Sequence, residues 1–321
     1  MLPILLVTFP FFALVLCGYV AARARMLPLE AIPGLNGFVL YFALPSMLYR
    51  FGATTPIAQL LDARVFLTWL LCALIMVGFT IAVSLNQRIR WNDASFGALV
   101  AAFPNTGFMG VPLLVALLGA QAAGPIIVTI VVDMVITTSL CIALSRLDGA
   151  DQHGMAVALR NALKGVLRNP LPWAILLGGV ASAIGMELPG PVSKTVGLLA
   201  DAASPVALFT IGAVLARSQM LAALHKHEPI PLGDYLPVAG FKLLLHPLLV
   251  LLVGAMAIRM GVALERFSLT VMVLIAALPS ASNVSLLAER FGADNGRVAR
   301  IILVSTAAAF FTFSGAVALL A

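Results

Sequence analysis

Two stretches of the chain place uncharged polar side chains directly after a proline, inside long apolar runs. The first is AAFPNTGFMGVP at 101–112 and the second is LPSASNVS at 278–285. A proline removes one backbone donor and its ring clashes with a carbonyl one turn earlier, so it interrupts a helix. The first turn after an interruption offers free N–H groups and the positive end of a dipole, which suit an anion. The residues predicted to bind a carboxylate here are Pro104, Asn105, Thr106, Gly107, Pro279, Ser280, Ser282 and Asn283.

Three ionisable side chains lie within apolar runs, where charged residues are rare and usually functional. Asp133 occurs in TIVVDMVIT, and Lys242 is its natural partner. His246 lies one helical turn after Lys242 on the same face. We predict that these three residues carry a coupling H⁺ or Na⁺. The alternatives are a paired structural carboxylate, a lysine that reaches the cytoplasmic interface, and a histidine packed before a helix-kinking Pro247.

The elements that must position these residues are membrane-spanning helices. The chain has 321 residues, of which 62% are hydrophobic and only 10% are charged. Apolar runs of about 20 residues, the length that crosses a bilayer, recur along the whole chain. We predict an all-α membrane protein with ten spans, near 2–22, 30–50, 62–87, 93–118, 122–145, 168–186, 191–217, 234–260, 267–290 and 295–320.

The composition also argues against several other classes of protein. The net charge of +6 is spread over short loops, which is typical of membrane topology and not of a nucleic-acid-binding surface. Cys17, Cys72 and Cys141 lie in separate apolar runs without metal-ligand spacing, so neither a disulfide framework nor a metal site is predicted. We expect no cofactor beyond a coupling ion, and the surrounding partner is membrane lipid.

The chain repeats itself. Between 7–53 and 167–213, a shift of 160 residues, twelve of 47 positions are identical, and at a shift of 175 AAFP meets AALP. Spans 1–5 (residues 1–146) and 6–10 (168–321) therefore form two copies of one unit, joined by a cytoplasmic linker at 147–167. Because five is odd, the second copy is inverted in the membrane. Inverted five-helix repeats are typical of secondary transporters, and interrupted helices at matching positions indicate a midplane binding site.

The repeat adds a further candidate group on its scaffold side. Asp201, in LLADAASPVALF, precedes Pro205 by one turn and is predicted to face the substrate. Its counterpart in the first copy is Tyr41, close to Pro45 and Ser46, which we include in the predicted substrate site. The alternative for Asp201 is an acid that is satisfied at the interface. In the first interrupted stretch, Pro112 is predicted to break the helix a second time.

The charges of the loops predict the orientation. Loops after odd-numbered spans hold thirteen Arg and Lys residues, and loops after even-numbered spans hold five. The odd loops are therefore predicted to be cytoplasmic, which leaves both termini periplasmic in a cell inner membrane.

Three segments resemble the auxin efflux carrier family. They are AAFPNTGFMGVPLLVALLG, AALPSASNVSLLAERFGAD and NGFVLYFALPSMLYRF. The resemblance covers the whole chain, and bacterial members of this family include malonate-type carriers. It implies a fold shared with bile-acid symporters and sodium/proton antiporters. In that fold spans 1, 2, 6 and 7 form a scaffold, through which a homodimer could assemble, and spans 3–5 and 8–10 form a transport domain. Spans 4 and 9 then cross at their prolines.

The family pattern has a Pro-Asn pair at the crossover. It matches Pro104-Asn105, whereas Ser280 follows Pro279 and the second asparagine is displaced to Asn283.

The function that these features favour is a secondary transporter of small organic anions, mono- or dicarboxylates, working by elevator-like alternating access. An intramembrane aspartyl-type enzyme would need two facing acids, for which Asp133 and Asp201 are available, but HExxH, GxSxG and CxxC motifs are absent. A passive channel is the third alternative. We therefore predict a transporter and not an enzyme.

Overall fold

The computed structural model describes residues 2–54, 62–147, 170–224 and 230–320. Within these ranges the chain is helical and contains no strand, apart from an isolated β-bridge between Pro104 and Ser280. The all-α prediction is therefore confirmed. The predicted linker at 147–167 lies almost entirely outside the described residues.

Twelve helical segments follow one another in the described ranges, counting short 3₁₀ and π turns with the helices they extend. They are α1 Leu2–Arg23, α2 Leu29–Thr54, α3 Ala63–Ser84, α4 Trp91–Ala102, α5 Thr106–Leu118, α6 Ala123–Leu144, α7 Pro170–Ala183, α8 Gly190–Leu224, α9 Leu232–Arg259, α10 Arg266–Ala276, α11 Asn283–Arg290 and α12 Asn295–Leu320.

Six helices in the described part of the chain are long and apolar enough to cross a membrane, namely α2, α3, α6, α8, α9 and α12. Shorter apolar helices lie in α1, α5, α7 and α10. The fourth and ninth predicted spans are each divided, into α4 and α5 and into α10 and α11. The seventh predicted span, near 191–217, continues as α8 to Leu224. The segment between the seventh and eighth spans therefore begins later than predicted, and its residues 225–229 are outside the described ranges.

Four π-helical turns interrupt the regular helices within the described residues, and prolines account for three of them. Such turns occupy 39–43, 106–110 and 241–245, and each contains the carbonyl four residues before Pro45, Pro112 or Pro247. A proline cannot donate to that carbonyl and its ring collides with it, and a local π adjustment relieves the clash. The prediction that Pro112 breaks the helix is therefore wrong, because the chain stays helical from Thr106 to Leu118.

The fourth π turn, at 132–137, contains no proline. Here threonine hydroxyls bond the displaced carbonyls, with Thr138 Oγ1 donating to the Asp133 carbonyl oxygen at 2.8 Å. This turn begins at the side chain that was predicted to couple ions, and π turns inside α-helices are frequent at functional sites.

Helices α4 and α10 form the centre of the molecule. All residues from Ala94 to Ala102 are buried, and so is almost all of α10 from Ser268 to Ala276. A helix that is covered on every side must be surrounded by others. The two helix ends that lead into the interruptions are therefore the most enclosed part of the described chain.

Pairs of glycines bring the outer helices into close contact. A Cβ on Gly18 of α1 would collide with the Phe209 carbonyl of α8, and a Cβ on Gly178 of α7 would collide with the Tyr49 carbonyl of α2. The two contacts are related by the 160-residue shift. Gly18 corresponds to Gly178, and Tyr49 corresponds to Phe209.

The second pair of contacts is related in the same way. A Cβ on Gly212 would meet the Val15 carbonyl, and a Cβ on Gly52 would lie 2.8 Å from the Ile175 carbonyl oxygen. The close contacts between α1 and α8 and those between α2 and α7 thus involve residues that correspond to each other under the 160-residue shift. Small residues permit such close approach of helix backbones in membranes.

Candidate functional site

The two predicted helix interruptions are present. Helix α4 ends at Ala102 and α5 begins at Thr106, and the three residues between them, which include Pro104, leave the helical path. Helix α10 ends at Ala276 and α11 begins at Asn283, with Pro279 in the gap. The second interruption is the longer one.

The interruptions are hydrogen-bonded to each other. The Asn105 N–H donates to the Pro279 carbonyl oxygen at 2.8 Å, and the Ala281 N–H donates to the Phe103 carbonyl oxygen at 2.9 Å. These bonds form an antiparallel bridge between Pro104 and Ser280. Broken backbone at this depth is tolerated because its freed groups are satisfied inside the protein.

Several backbone donors next to the bridge remain available. The N–H groups of Gly107 and Phe108, at the start of α5, have no hydrogen-bond acceptor in the described ranges, and neither do those of Ser282 and Asn283 at the start of α11. The first turn of a helix has no intrahelical acceptor for such groups. Two sets of free amides therefore lie on either side of the bridge.

Three buried side-chain oxygens of the interruptions also have no partner among the described residues. They are Asn105 Oδ1, Ser280 Oγ and Asn283 Oδ1. Buried polar atoms without a partner are costly, and in native structures they often belong to sites that bind water or a ligand.

A small cavity is lined by residues of both interruptions. Asn105, Gly107 and Phe108 line one side, and Ala281 and Asn283 line another. The remaining lining is Phe103, Pro104 and the apolar side chains of Leu44, Leu48, Ile130, Met134 and Leu171. The space open to the centre of a water molecule is about 20 Å³, which holds about one water.

The other predicted residues of the interruptions lie beside this cavity. Thr106 is buried and its hydroxyl donates to the Pro104 carbonyl oxygen at 3.5 Å. Pro279 supplies the carbonyl that accepts from Asn105, and Ser280 takes part in the bridge. Ser282 is buried and directly precedes α11.

The scaffold-side candidates are placed differently. Asp201 forms a salt bridge with Arg50 at 2.7 Å, and its side chain is 69% exposed. The Ser46 hydroxyl donates to the Phe42 carbonyl oxygen of its own helix at 2.8 Å. Among the described residues, α2 lines the cavity through Leu44 and Leu48 and not through Pro45 or Ser46. A substrate contact of Pro45, Ser46 and Asp201 stays a prediction.

The predicted coupling residues lie together in a buried cluster. Asp133, Lys242 and His246 are each 0% exposed. Asp133 Oδ1 accepts from Trp69 Nε1 at 3.0 Å and from Thr137 Oγ1 at 3.2 Å, whereas its Oδ2 has no partner in the described part of the structure. The carboxylate is thus half satisfied and half available.

Lys242 interacts with this carboxylate electrostatically but not through a salt bridge within the described residues. Its Nζ donates to the Ala276 carbonyl oxygen at 2.8 Å and lies 3.0 Å from His246 Nδ1. Lys242 is therefore an electrostatic partner of Asp133, and it is fully buried and does not extend to the interface. The His246 ring packs against Trp69, with their centroids 5.3 Å apart.

Comparison with known proteins identifies the family. The sequence model of the family described as "Membrane transport protein" matches residues 3–317. The chain belongs to this family, the auxin efflux carrier family.

Relatives in the auxin efflux carrier family cover most of the chain. A Rhizobium meliloti (strain 1021) protein named "Putative malonate transporter" is 29% identical over 307 residues, which cover 95% of this chain and 92% of the relative. The "Uncharacterized transporter YfdV" of Escherichia coli (strain K12) is 29% identical over 292 residues, or 88% and 86% of the two chains. An "Uncharacterized transporter" of Methanothermobacter thermautotrophicus is 28% identical over 295 residues, or 91% and 90%.

Membership of the auxin efflux carrier family decides between two of the competing functions. The family and these relatives are transporters and not enzymes. The chain is therefore a multi-pass membrane transporter, and the intramembrane enzyme is excluded.

Two residues that contact the candidate site were not predicted from the sequence. Trp69 holds the Asp133 carboxylate, and Ser305 Oγ of α12 accepts from the Ser280 N–H at 3.2 Å. A buried tryptophan requires an acceptor for its N–H. Trp69, inside one apolar run, could therefore have been matched with Asp133, an acid inside another. Ser305 occurs in an ordinary VSTAAA segment, which gives no such signal.

Proposed function

We propose that the chain is a secondary transporter of small organic anions, and that the anion binds where the fourth and ninth spans are interrupted. One observation carries this proposal. The two interruptions are joined by backbone hydrogen bonds. Gly107, Phe108 and Asn283, whose N–H groups have no acceptor in the described ranges, line one cavity beside the bridge.

The electrostatics of the cavity favour a single carboxylate. No Arg, Lys or His lines it among the described residues, so the attraction comes from the free amides and from the positive ends of α5 and α11. A carboxylate accepts several such hydrogen bonds without a buried cation beside it. The Asn105 and Asn283 side chains add neutral donors and acceptors that fix its orientation.

The apolar side chains that line the cavity indicate which chemical groups the substrate carries besides its carboxylate. Leu44, Leu48, Phe108, Ile130 and Met134 offer contacts to hydrocarbon and none to a second charge. A monocarboxylate with an apolar body fits this lining, whereas the relative named for malonate suggests a dicarboxylate. Both belong to the class proposed here, and a direct comparison of the two separates them.

The proposed architecture is two inverted five-helix repeats whose interrupted spans cross. Two features support it. The glycine contacts of α1–α8 and α2–α7 exchange under the 160-residue shift, as a two-fold relation between the copies requires. The antiparallel bridge between Pro104 and Ser280 shows that the two interrupted segments lie side by side and run in opposite directions. Spans 1, 2, 6 and 7 would then be the scaffold and the others the transport domain.

Transport by this site requires a conformational change. The cavity holds about one water in its present form and is too small for a carboxylic acid. We propose elevator-like alternating access, in which the transport domain moves against the scaffold and the cavity widens as α2 and α7 separate from the interruptions. Coupling to H⁺ or Na⁺ is assigned to Asp133, Lys242 and His246. The loop charges favour periplasmic termini in the inner membrane.

The experiment is uptake by purified protein in proteoliposomes. Radiolabelled malonate and phenylacetate are tested for saturable uptake and for counterflow against an internal pool, at two pH values, with and without sodium. A carrier shows counterflow, whereas linear flux without saturation would indicate a channel. Binding of only neutral or cationic compounds would contradict the anion site.

Two substitutions test the site itself. Asn105→Ala and Asn283→Leu remove side-chain contacts at the cavity, and each is expected to reduce uptake about tenfold, the usual effect of losing a hydrogen bond to a charged group. The matched control is Asn36→Ala in α2, which lies outside the cavity lining. Unchanged uptake in both site variants would show that the anion binds elsewhere.

A further inference from the structure

The second interruption separates two backbone groups that would bond each other in a continuous helix. The Ser280 N–H follows the Ala276 carbonyl by four residues, the spacing of a helical hydrogen bond. In the structure, Lys242 Nζ donates to the Ala276 carbonyl oxygen at 2.8 Å, and the Ser280 N–H donates to Ser305 Oγ at 3.2 Å. Each of the two backbone groups is thus hydrogen-bonded to a side chain from another helix. Lys242 of α9 donates to the carbonyl, and Ser305 of α12 accepts from the N–H.

Burial makes these two contacts obligatory. Lys242, Ala276, Ser280 and Ser305 are each 0% exposed, so water cannot replace either partner. A buried backbone group without a partner is strongly unfavourable. If both side-chain contacts were lost, the Ser280 N–H and the Ala276 carbonyl would both regain a partner by bonding each other in a kinked helical turn across Pro279, since they have the spacing of a helical hydrogen bond.

Lys242 also belongs to the buried cluster of Asp133, Lys242 and His246. Its Nζ lies 3.0 Å from His246 Nδ1, and it interacts electrostatically with Asp133. One amino group therefore contacts the cluster on one side and the last carbonyl before the interruption on the other. Beyond the interruption, Ser282 and Asn283 present their free N–H groups.

We propose that Lys242 and Ser305 are positioning residues that hold the second interruption open, and that Lys242 thereby links the Asp133 cluster to the anion site. The inference rests on the proposed function, because the consequence of closing the interruption is the loss of the Ser282 and Asn283 amides from the anion site. A shift of Lys242 toward Asp133 would release the Ala276 carbonyl and loosen the site.

A double-mutant cycle tests this inference through two separate measurements. Lys242→Met, Ser305→Ala and the double variant are compared with the wild type for thermal stability and for the dissociation constants of malonate and phenylacetate. Each single variant leaves one buried backbone group unpaired, so each is expected to lower stability and to weaken anion binding about tenfold. In the double variant the released groups bond each other, so the loss of stability is smaller than the sum of the single losses. Anion affinity does not recover.

This separation of stability from affinity is the signature of the proposal. A purely structural role would move both quantities together, and that result, or strict additivity of stability, would overturn it. Thr306→Ala is the control for Ser305, because the Thr306 hydroxyl bonds only its own helix, at Ile302 O. Lys194→Met, at an exposed position of α8, is the control for Lys242.

Failure of the proposed function is distinguishable from failure of this inference. If the wild type binds neither anion, the anion site is wrong, but the stability cycle still decides whether the two side chains hold the interruption open. Hydrogen exchange of a peptide covering 277–282 gives a second reading. The Ser280 amide is expected to exchange faster in Ser305→Ala, where it has no partner, than in the double variant, where it bonds the Ala276 carbonyl, and equal exchange in the two variants would refute the closing of the turn.

Discussion

The close helix contact at Gly52 can be tested by a minimal change. A Cβ added there would lie 2.8 Å from the Ile175 carbonyl oxygen and 3.0 Å from the Gly179 nitrogen. Both obstacles are backbone atoms, so no side chain can rotate away. Ordinary van der Waals contact begins near 3.4 Å, and helices α2 and α7 must therefore separate by about 0.6 Å.

That displacement sets the size of the effect. A gap of about 0.5–1 Å forfeits a quarter to a half of the dispersion attraction along the contact, and overpacking of this kind costs about 1–3 kcal/mol. Replacing a helical glycine by alanine returns up to about 1 kcal/mol through helix propensity. We expect Gly52→Ala to destabilise the protein by about 1–2 kcal/mol, as measured by thermal unfolding in detergent.

The loss of stability on replacing each of the four glycines by alanine should increase as the added Cβ comes closer to the opposing backbone. Gly18, Gly178 and Gly212 stand closer to the opposing carbonyls than Gly52 does, so their alanine variants are expected to be less stable than Gly52→Ala. Gly197→Ala is the matched control, because it lies in α8 with nothing within 4 Å of the added Cβ. If Gly52→Ala and Gly197→Ala unfold at the same temperature, close packing of these helices is not what stabilises the molecule.

Two further predictions concern buried polar contacts. Trp69→Phe keeps an aromatic ring but removes the N–H that donates to Asp133 at 3.0 Å. Ion-driven accumulation is expected to fall about tenfold while counterflow of the anion is retained, and equal losses in both assays would contradict a role in coupling. Gly97→Ala places a Cβ 2.7 Å from Arg297 Nη1, whose guanidinium is buried, so stability is expected to fall by about 1–3 kcal/mol. Gly78→Ala, with nothing within 4 Å, is its control, and equal melting temperatures for the two would refute the clash.

Much of the fold was predictable because the bilayer restricts the choices. Apolar runs of spanning length, two internal copies and two proline-centred polar segments led to the helices and to both interruptions. The failures concern proline. Pro104 and Pro112 lie only eight residues apart in one apolar run, yet Pro104 lies where a helix ends and Pro112 only produces a π turn at 106–110. The difference lies in the partner, because a second interrupted segment is available to bond the backbone freed around Pro104.

The candidate site was predictable in its members but not in its contacts. Asp133, Lys242 and His246 were selected by their type and depth, and they lie together. Lys242 and Asp133 interact electrostatically, but the sequence did not indicate which atom the lysine amino group bonds. The Ala276 carbonyl, freed by an interruption in another helix, takes the amino group. Such a competitor is a backbone atom, and no pattern of side chains in the sequence could indicate it.

The register of the interruptions explains why the two halves of the anion site are not alike. Aligned by sequence, Pro104 corresponds to Pro279, but the bridge pairs Pro104 with Ser280, one position later. The bond from Asn105 to Pro279 and the bond from Ala281 to Phe103 exchange only in this second register. Asn105 is therefore equivalent in space to Ala281, which carries no polar side chain, and Asn283 lies two residues further on, at the start of α11. In the proposed anion site, one asparagine therefore lies at the bridge and the other at the start of a helix, so the polar side chains of the cavity are arranged asymmetrically.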